Sequence, residues 1–461
     1  MKTHDHIDNT MQNASHAQSQ SQSHSGESTI TDLGSKKSIS KQRTFILIIS
    51  TLVLGIVAGV SSGLLSLLLK VVENFFLGFV ESSSMPGAFN VNRWRRFISL
   101  TIGGIIAAVI WWLLRNKARH VPSVKKSVKG AQMPFWQTIV HVVTQIFLVG
   151  TGGSVGREVA PREAGALFGG LWFQLMHRWG LPSEDRELLV AAAAGAGFAG
   201  VYISPLTGAL FSVEILLKRV NAETVAVSLA MSSIASYVGG LIHGTDAYYA
   251  VPNSPFSWQI LAFSIVASPL IGIAGGYFSR ASSWAETKKT TGMHILWQLP
   301  LVALLTGVVA LWGPEVMGNG RALAQTAMNY SAENSGVTVV IALAVLACAK
   351  ALLTTFTLKA GASGGTLTPS IGIGAALGAI LGIAWNYWIP GTPLWQCAMV
   401  GAVALLSASQ RAPLMALMMV MEVSHLPIVA LGPLGMATSL GVATSNLAKT
   451  TAHHNKPPQS F

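Results

Sequence analysis

The 461-residue sequence predicts an all-α polytopic membrane protein made of two inverted repeats of tilted and broken helices. Three observations carry this. Charge is scarce: 10% of residues are charged and 51% hydrophobic, where a soluble domain carries about 25% charged residues. Apolar runs recur along most of the chain, several of them long enough to cross the roughly 30 Å of hydrocarbon in a bilayer. Two stretches, near 150–161 and 361–369, interrupt these runs with Gly and Pro at corresponding places in two halves of similar size. Paired interruptions of that kind point to a midplane site between inverted repeats.

The segments follow in order. Residues 1–43 are rich in Ser, Gln, His, Asn and Thr. A segment of that composition cannot bury enough surface to offset its ordering entropy, so a disordered polar cytoplasmic tail is expected. His4, His6, His16 and His24 are irregularly spaced and accompanied by no cysteine, which suits a solvated tail and not a metal site. No basic start, apolar core and small-residue cleavage site opens the chain, so no removable signal peptide is expected. The membrane part covers 44–446, with a first repeat over about 44–243 and a second over about 258–446; a short polar tail, 447–461, follows.

Within the first repeat the run 44–80 carries Gly55, Gly59 and Gly63 at four-residue spacing, which lets helix backbones approach closely in lipid. A span over 97–114, a basic connector at 120–126 and a helix over 135–148 lead to the first break. Ser183-Glu184-Asp185-Arg186-Glu187 predicts a helix start, with serine as cap and acids in the first turn. The Ala- and Gly-rich run 188–200 must pack tightly, Ser204-Pro205 breaks the chain before 209–216, and a span covers 225–242. A polar connector, 243–257, separates the halves. Spans then begin near Trp258 and cover 296–312 and 336–356. The second break, 359–370, opens a helix with Gly372, Gly374, Gly378 and Gly382, and spans over 396–407, 413–422 and 427–446 complete the chain.

The first break holds Gly156-Arg157-Glu158 in the middle of apolar sequence. Non-helical backbone is tolerated at membrane depth only where it is buried in protein or lines a cavity. A carboxylate there is expensive and marks function. Helix amino ends carry partial positive charge and unpaired N–H groups, so two broken helices facing one pocket favour a small-anion path with Glu158 beside it. The plain alternative is a salt bridge of Glu158 with Arg157 or Arg162. Glu163, one turn on, is expected to be a helix-start acid facing polar neighbours.

The net charge of +12 comes from clusters at 41–43, 115–129, 218–219 and 288–289, all flanking membrane segments. That pattern places them, with both termini, on the cytoplasmic side of the cell membrane and argues against nucleic-acid binding. Arg93, Arg95 and Arg96 fit less well, because one span from residue 45 would put them outside. Cys348 and Cys397 lie in apolar runs and are expected to pack without pairing. The chain shows no His-Glu-x-x-His, no Gly-x-Ser-x-Gly with partners and no Asp pair at membrane depth, so neither an enzyme, a metal site nor a cofactor is expected.

These residues resemble the CLC family of chloride channels and proton/chloride antiporters. Gly156-Arg157-Glu158 is similar to its Gly-Lys/Arg-Glu-Gly-Pro motif, and Gly365-Thr366-Leu367-Thr368-Pro369 to its Gly-x-Phe-x-Pro motif. Ser204-Pro205-Leu206-Thr207-Gly208-Ala209-Leu210-Phe211 and Ser409-Gln410-Arg411-Ala412-Pro413-Leu414 are similar to two further family segments, in order over about 45–446. The resemblance implies a voltage-gated-type channel or antiporter fold, a homodimer in membrane lipid, and one chloride pore per subunit. It makes Glu158 the gating glutamate and sets Gly156, Arg157, Val159, Gly365, Thr366 and Leu367 around the anion. Another anion, fluoride or nitrate, is the alternative cargo.

The departures are informative. Val159 and Ala160 stand where the family has Gly and Pro, with proline only at Pro161. Ala118-Arg119-His120-Val121-Pro122 aligns with Gly-Ser-Gly-Ile-Pro, so Arg119 replaces the serine of the central anion site. Arg119 and His120 are therefore inner-pore candidates, with a solvated loop as the alternative for Arg119. No tyrosine in the C-terminal segment supplies the other central contact. Ile215 occupies the place of the antiporters' inner glutamate, one residue after Glu214, so a proton path over Glu158 and Glu214 and a channel without proton coupling both stand.

Overall fold

Inside a bilayer each backbone N–H must find its partner within the protein, and this chain meets the demand with helices. The computed structural model describes residues 12–252, 254–331 and 336–447, side chains from residue 41 onward. Among the described residues there are sixteen α-helices and a single antiparallel bridge, Gly156 to Gly365. The first half comprises α1 (Gln12–Leu77), α2 (Arg93–Lys117), α3 (Val124–Val128), α4 (Phe135–Gly150), α5 (Val159–His177), α6 (Asp185–Tyr202), α7 (Pro205–Leu210) and α8 (Ala222–His243). The second comprises α9 (Trp258–Thr287), α10 (Ile295–Ala310), α11 (Arg321–Asn329), α12 (Val337–Lys359), α13 (Leu367–Asn386), α14 (Leu394–Gln410), α15 (Pro413–Val423) and α16 (Leu431–Ser445). Among the described residues eight segments are long and apolar enough to cross a membrane.

The halves repeat one another. Helix α1 packs on α8 as α9 packs on α16, α5 on α6 as α13 on α14, and α2 on its own counterpart α10. Ile203 and Arg411 each end a helix in the left-handed region, at φ 51° and 54°, before Pro205 and Pro413 start α7 and α15. The two-fold relation is closed by exchanged caps. Glu422 of α15 accepts the N–H groups of Leu206 and Thr207 at 2.9 and 2.8 Å. Glu214, on the π-helical turn Phe211–Leu217 that continues α7, accepts those of Leu414 and Met415 at 3.3 and 2.9 Å. Each carboxylate thus satisfies orphan donors at the other half's helix start.

Small residues dominate the interior because helices with little side chain can approach closely. Helix α13 has 78% of its apolar window buried, against at most 50% for the other crossing segments. Its Gly374 and Gly378 lie against Gly401 of α14, where any Cβ would strike the facing backbone. Bulky apolar side chains are instead turned outward on α1, α2, α9, α10 and α12, for example Ile56, Ile98, Leu270, Trp297 and Val345, as lipid contact requires.

Several expectations change. The expectation of a disordered tail over 1–43 falls mostly on residues 1–40, whose side chains lie outside the described residues. Residues 1–11 and 448–461 lie outside the described residues. Ser183 does not cap α6: Glu184 occupies that position without a side-chain cap, and Asp185 instead pairs with Arg43 of α1 at 2.6 Å. The short helices α3 and α11 carry no span-length apolar signal. Replacing Gly401 by leucine should lower the thermal unfolding temperature in detergent, because overpacking this crossing costs about 1–3 kcal/mol; an unchanged transition would show the crossing to be loose.

Candidate functional site

The loop before α5 and the loop before α13 meet through reciprocal backbone bonds: Gly156 N–H donates to Gly365 O at 2.7 Å, and Gly365 N–H to Gly156 O at 2.8 Å. This bridge brings the amino ends of two interrupted helices together. The Glu158 side chain, fully buried, lies across it. Leu367 N–H at the start of α13 donates to Glu158 Oε1 at 2.7 Å, and the Thr368 hydroxyl to Oε2 at 3.1 Å. A Cβ on either Gly156 or Gly365 would overlap the carboxylate. Glycine is needed at both positions because the carboxylate occupies that space.

A cavity of about 910 Å³ reaches Glu158 from one side of the molecule. Its wall includes Val159, Gly365 and Thr366, together with Arg115, Lys125, Lys126, Arg162 and Lys289 against the carboxylates Glu158, Glu163 and Glu286. The excess of cationic groups in a low-dielectric recess concentrates anions. A smaller pocket of about 130 Å³ holds Arg157, Glu73, Glu81, Tyr202, Tyr248 and Arg321. The large cavity opens beside Arg115 at the end of α2, and the small pocket beside 81–83, just before its start. The 25 residues of α2 span about 37 Å, so the two voids open at opposite ends of a membrane-crossing helix. They converge at adjacent residues, Arg157 on one side and Glu158 on the other.

The sequence of this site matches the voltage gated chloride channel family over residues 103–446. The chain belongs to that family. Relatives include the voltage-gated ClC-type chloride channel ClcB of Citrobacter koseri, 27% identical over 393 residues that cover 82% of this chain and 90% of the relative. The putative chloride channel protein ClcB-like of Ralstonia nicotianae is 30% identical over 372 residues, covering 77% of this chain and 83% of the relative. Among solved structures, a slow cyanobacterial Cl⁻/H⁺ antiporter superposes with TM-score 0.71 at 21% identity, covering 88% of this chain and 99% of that one. A CLC-type fluoride/proton antiporter superposes with TM-score 0.65 at 18% identity, covering 87% and 95%. At these identities the structural likeness is one of fold.

The residues singled out in the sequence of this family member divide by position. Glu158, Gly156, Val159, Gly365, Thr366 and Leu367 converge at the bridge. Arg157 turns to the smaller pocket, its guanidinium over the rings of Tyr202 and Tyr248 at 5.3 Å each. Arg162 is the arginine near Glu158, with Nη2 3.7 Å from Oε1. His120 lines the large cavity, whereas Arg119 is exposed and is not among the lining side chains. Glu214 caps α15 and does not face the cavity; its neighbour Ile215 does.

Other residues of the site were not singled out from sequence. Lys350 of α12 is fully buried, and its Nζ donates to Ser154 Oγ at 3.0 Å and to the carbonyls of Val316 and Gly318 at 3.0 and 2.6 Å. It ties the loop carrying Gly156 to the loop before α11; a lone lysine inside an apolar run was its signal. Glu163 is buried, with Oε2 2.8 Å from His141 Nδ1 and accepting from Gln145 Nε2 at 2.6 Å. His141 Nε2 lies 3.1 Å from Ser363 Oγ, which accepts from Arg115 Nη2 at 3.3 Å. Glu163 has the polar neighbours expected of it, both from α4, but it lies beyond the first turn of α5 and is not a helix-start acid. Substituting Lys350 by methionine leaves two carbonyls and a hydroxyl without their donor at about 1–3 kcal/mol each. The expected outcome is a clearly lower unfolding temperature with the same helix content by circular dichroism.

Proposed function

We propose that the chain carries small monovalent inorganic anions of the chloride class across the cell membrane, through a pore in each subunit that Glu158 gates. One observation supports this above the rest: a carboxylate sits where an anion would, on the Leu367 N–H at the start of α13. A fixed side-chain anion and a mobile one compete for the same backbone donors. When the carboxylate is protonated or displaced, the Leu367 N–H and the Thr368 hydroxyl at the start of α13 are released to the travelling ion, with Gly156, Val159, Gly365, Thr366 and Leu367 shaping the site. Arg157 faces the outer approach and His120 the inner one. The cargo's charge is matched by fixed dipoles and cations, so the chemistry is transport and not catalysis.

The reading takes the protein as a homodimer with both termini on the basic, cytoplasmic face. Apolar residues exposed on α7, α8, α15 and the turn before α16, such as Leu206, Leu241, Leu414 and Ile428, are consistent with a partner surface. Movement of a proton with the anion has its carrier in Glu158 itself, because a carboxylate that leaves the N–H groups and returns can bring a proton across.

Chloride efflux from liposomes, followed at acid and neutral pH, tests the gate. Glu158→Gln removes the charge that competes with the anion, so efflux should become nearly independent of pH; a pH response identical to wild type would remove Glu158 from the mechanism. Gly365→Ala should resemble Glu158→Gln in this assay, since the added Cβ evicts the carboxylate from the bridge.

A further inference from the structure

The two arginines that bracket Glu158 are held in the same manner at opposite ends of one aromatic column. Phe211, Phe198, Tyr202 and Tyr248 stack edge to face with centroid spacings of 5.5, 5.4 and 5.4 Å. Phe211 borders the large cavity, and Tyr202 and Tyr248 border the smaller pocket. Arg157 occupies the outer end. At the inner end the Arg162 guanidinium lies over Phe198 and Phe211 at 5.1 and 4.7 Å.

Arg162 is poorly satisfied for a side chain only 13% exposed. Its Nε donates to the Glu158 carbonyl at 2.6 Å. The terminal nitrogens make no hydrogen bond among the described residues, and the approach of Nη2 to Glu158 Oε1, at 3.7 Å, is too long for one. Cation–π contact holds the charge without consuming N–H donors. The residue lines the large cavity, just inside Glu158. The other charged groups on that wall are Glu158 and Glu163, Arg115 from α2, Lys125 and Lys126 from α3, Glu286 from α9 and Lys289 just past its end. Glu163 is engaged with His141 and Gln145, and Lys289 with Glu286 at 2.8 Å.

An unspent pair of N–H groups on a guanidinium matches two oxygens of a planar anion, whereas a spherical halide meets it as a point charge. We propose that Arg162 forms an anion site on the inner side of Glu158 that prefers a planar monovalent oxyanion, of the nitrate class, over chloride. The inference rests on the transport reading and adds a cargo preference to it. The site strengthens when Glu158 swings away, because the guanidinium then loses the carboxylate nearest to it.

Isothermal titration of the purified full chain in detergent with sodium nitrate and sodium chloride tests the site directly. Wild type should bind nitrate more tightly than chloride. Arg162→Lys keeps the charge but loses the fork, and should weaken nitrate binding by roughly tenfold or more while changing chloride less. The nitrate-to-chloride flux ratio in liposomes should fall in parallel. Wild type binding nitrate no more tightly than chloride overturns the proposal whether or not the variant folds, and so does an unchanged binding ratio in Arg162→Lys. Wild-type liposomes passing neither anion would sink the transport reading, and the titration would still decide the site.

Discussion

A carboxylate with no exposed surface survives in a membrane protein only where donors surround it, and the contact between Glu158 and the Leu367 N–H meets that condition. Much of the architecture follows from it. The carboxylate can lie over the bridge only if both bridging residues lack a side chain, hence Gly156 and Gly365. The bridge forms only if two helices are interrupted at the same depth and point their amino ends at one spot. Equivalent interruptions in two inverted halves deliver that geometry with one structural solution used twice.

Holding the two loops in register takes further contacts, most of them backbone-directed. Lys350 reaches from α12 to the loop before Gly156 and to the carbonyls preceding α11. The exchanged caps of Glu214 and Glu422 lock α7 and α15 to each other. The Gly- and Ala-rich faces of α13 and α14 let their backbones touch. Together these contacts hold Glu158 between two voids that open at opposite ends of α2.

Acidic residues near a pore look alike in sequence and differ in the fold. Glu158, Glu163 and Glu214 all follow glycine- or proline-interrupted sequence. Glu158 accepts from the start of α13, Glu163 joins a buried histidine and glutamine, and Glu214 caps a helix 200 residues away. The arginines divide in the same way. Arg119, aligned with the central serine, is exposed on a loop, while Arg162 is the expected ion-pair partner of Glu158, at 3.7 Å, and among the described residues its terminal nitrogens make no hydrogen bond.

By itself the sequence determined the class and where to look for the site: charge scarcity and apolar period dictate spanning helices, paired Gly/Pro breaks point to a site between the halves, and the Glu in the first break is the gate proposed for it. Those signals are local, since each depends on which residue types a bilayer tolerates at a given depth. Only the tertiary structure decided partners. Which helix start receives Glu158 and where Glu214 is spent depend on contacts between residues some 200 positions apart. So do the sides on which Arg157 and Arg162 emerge, because adjacent breaks must first be folded together before either side chain has a cavity to face.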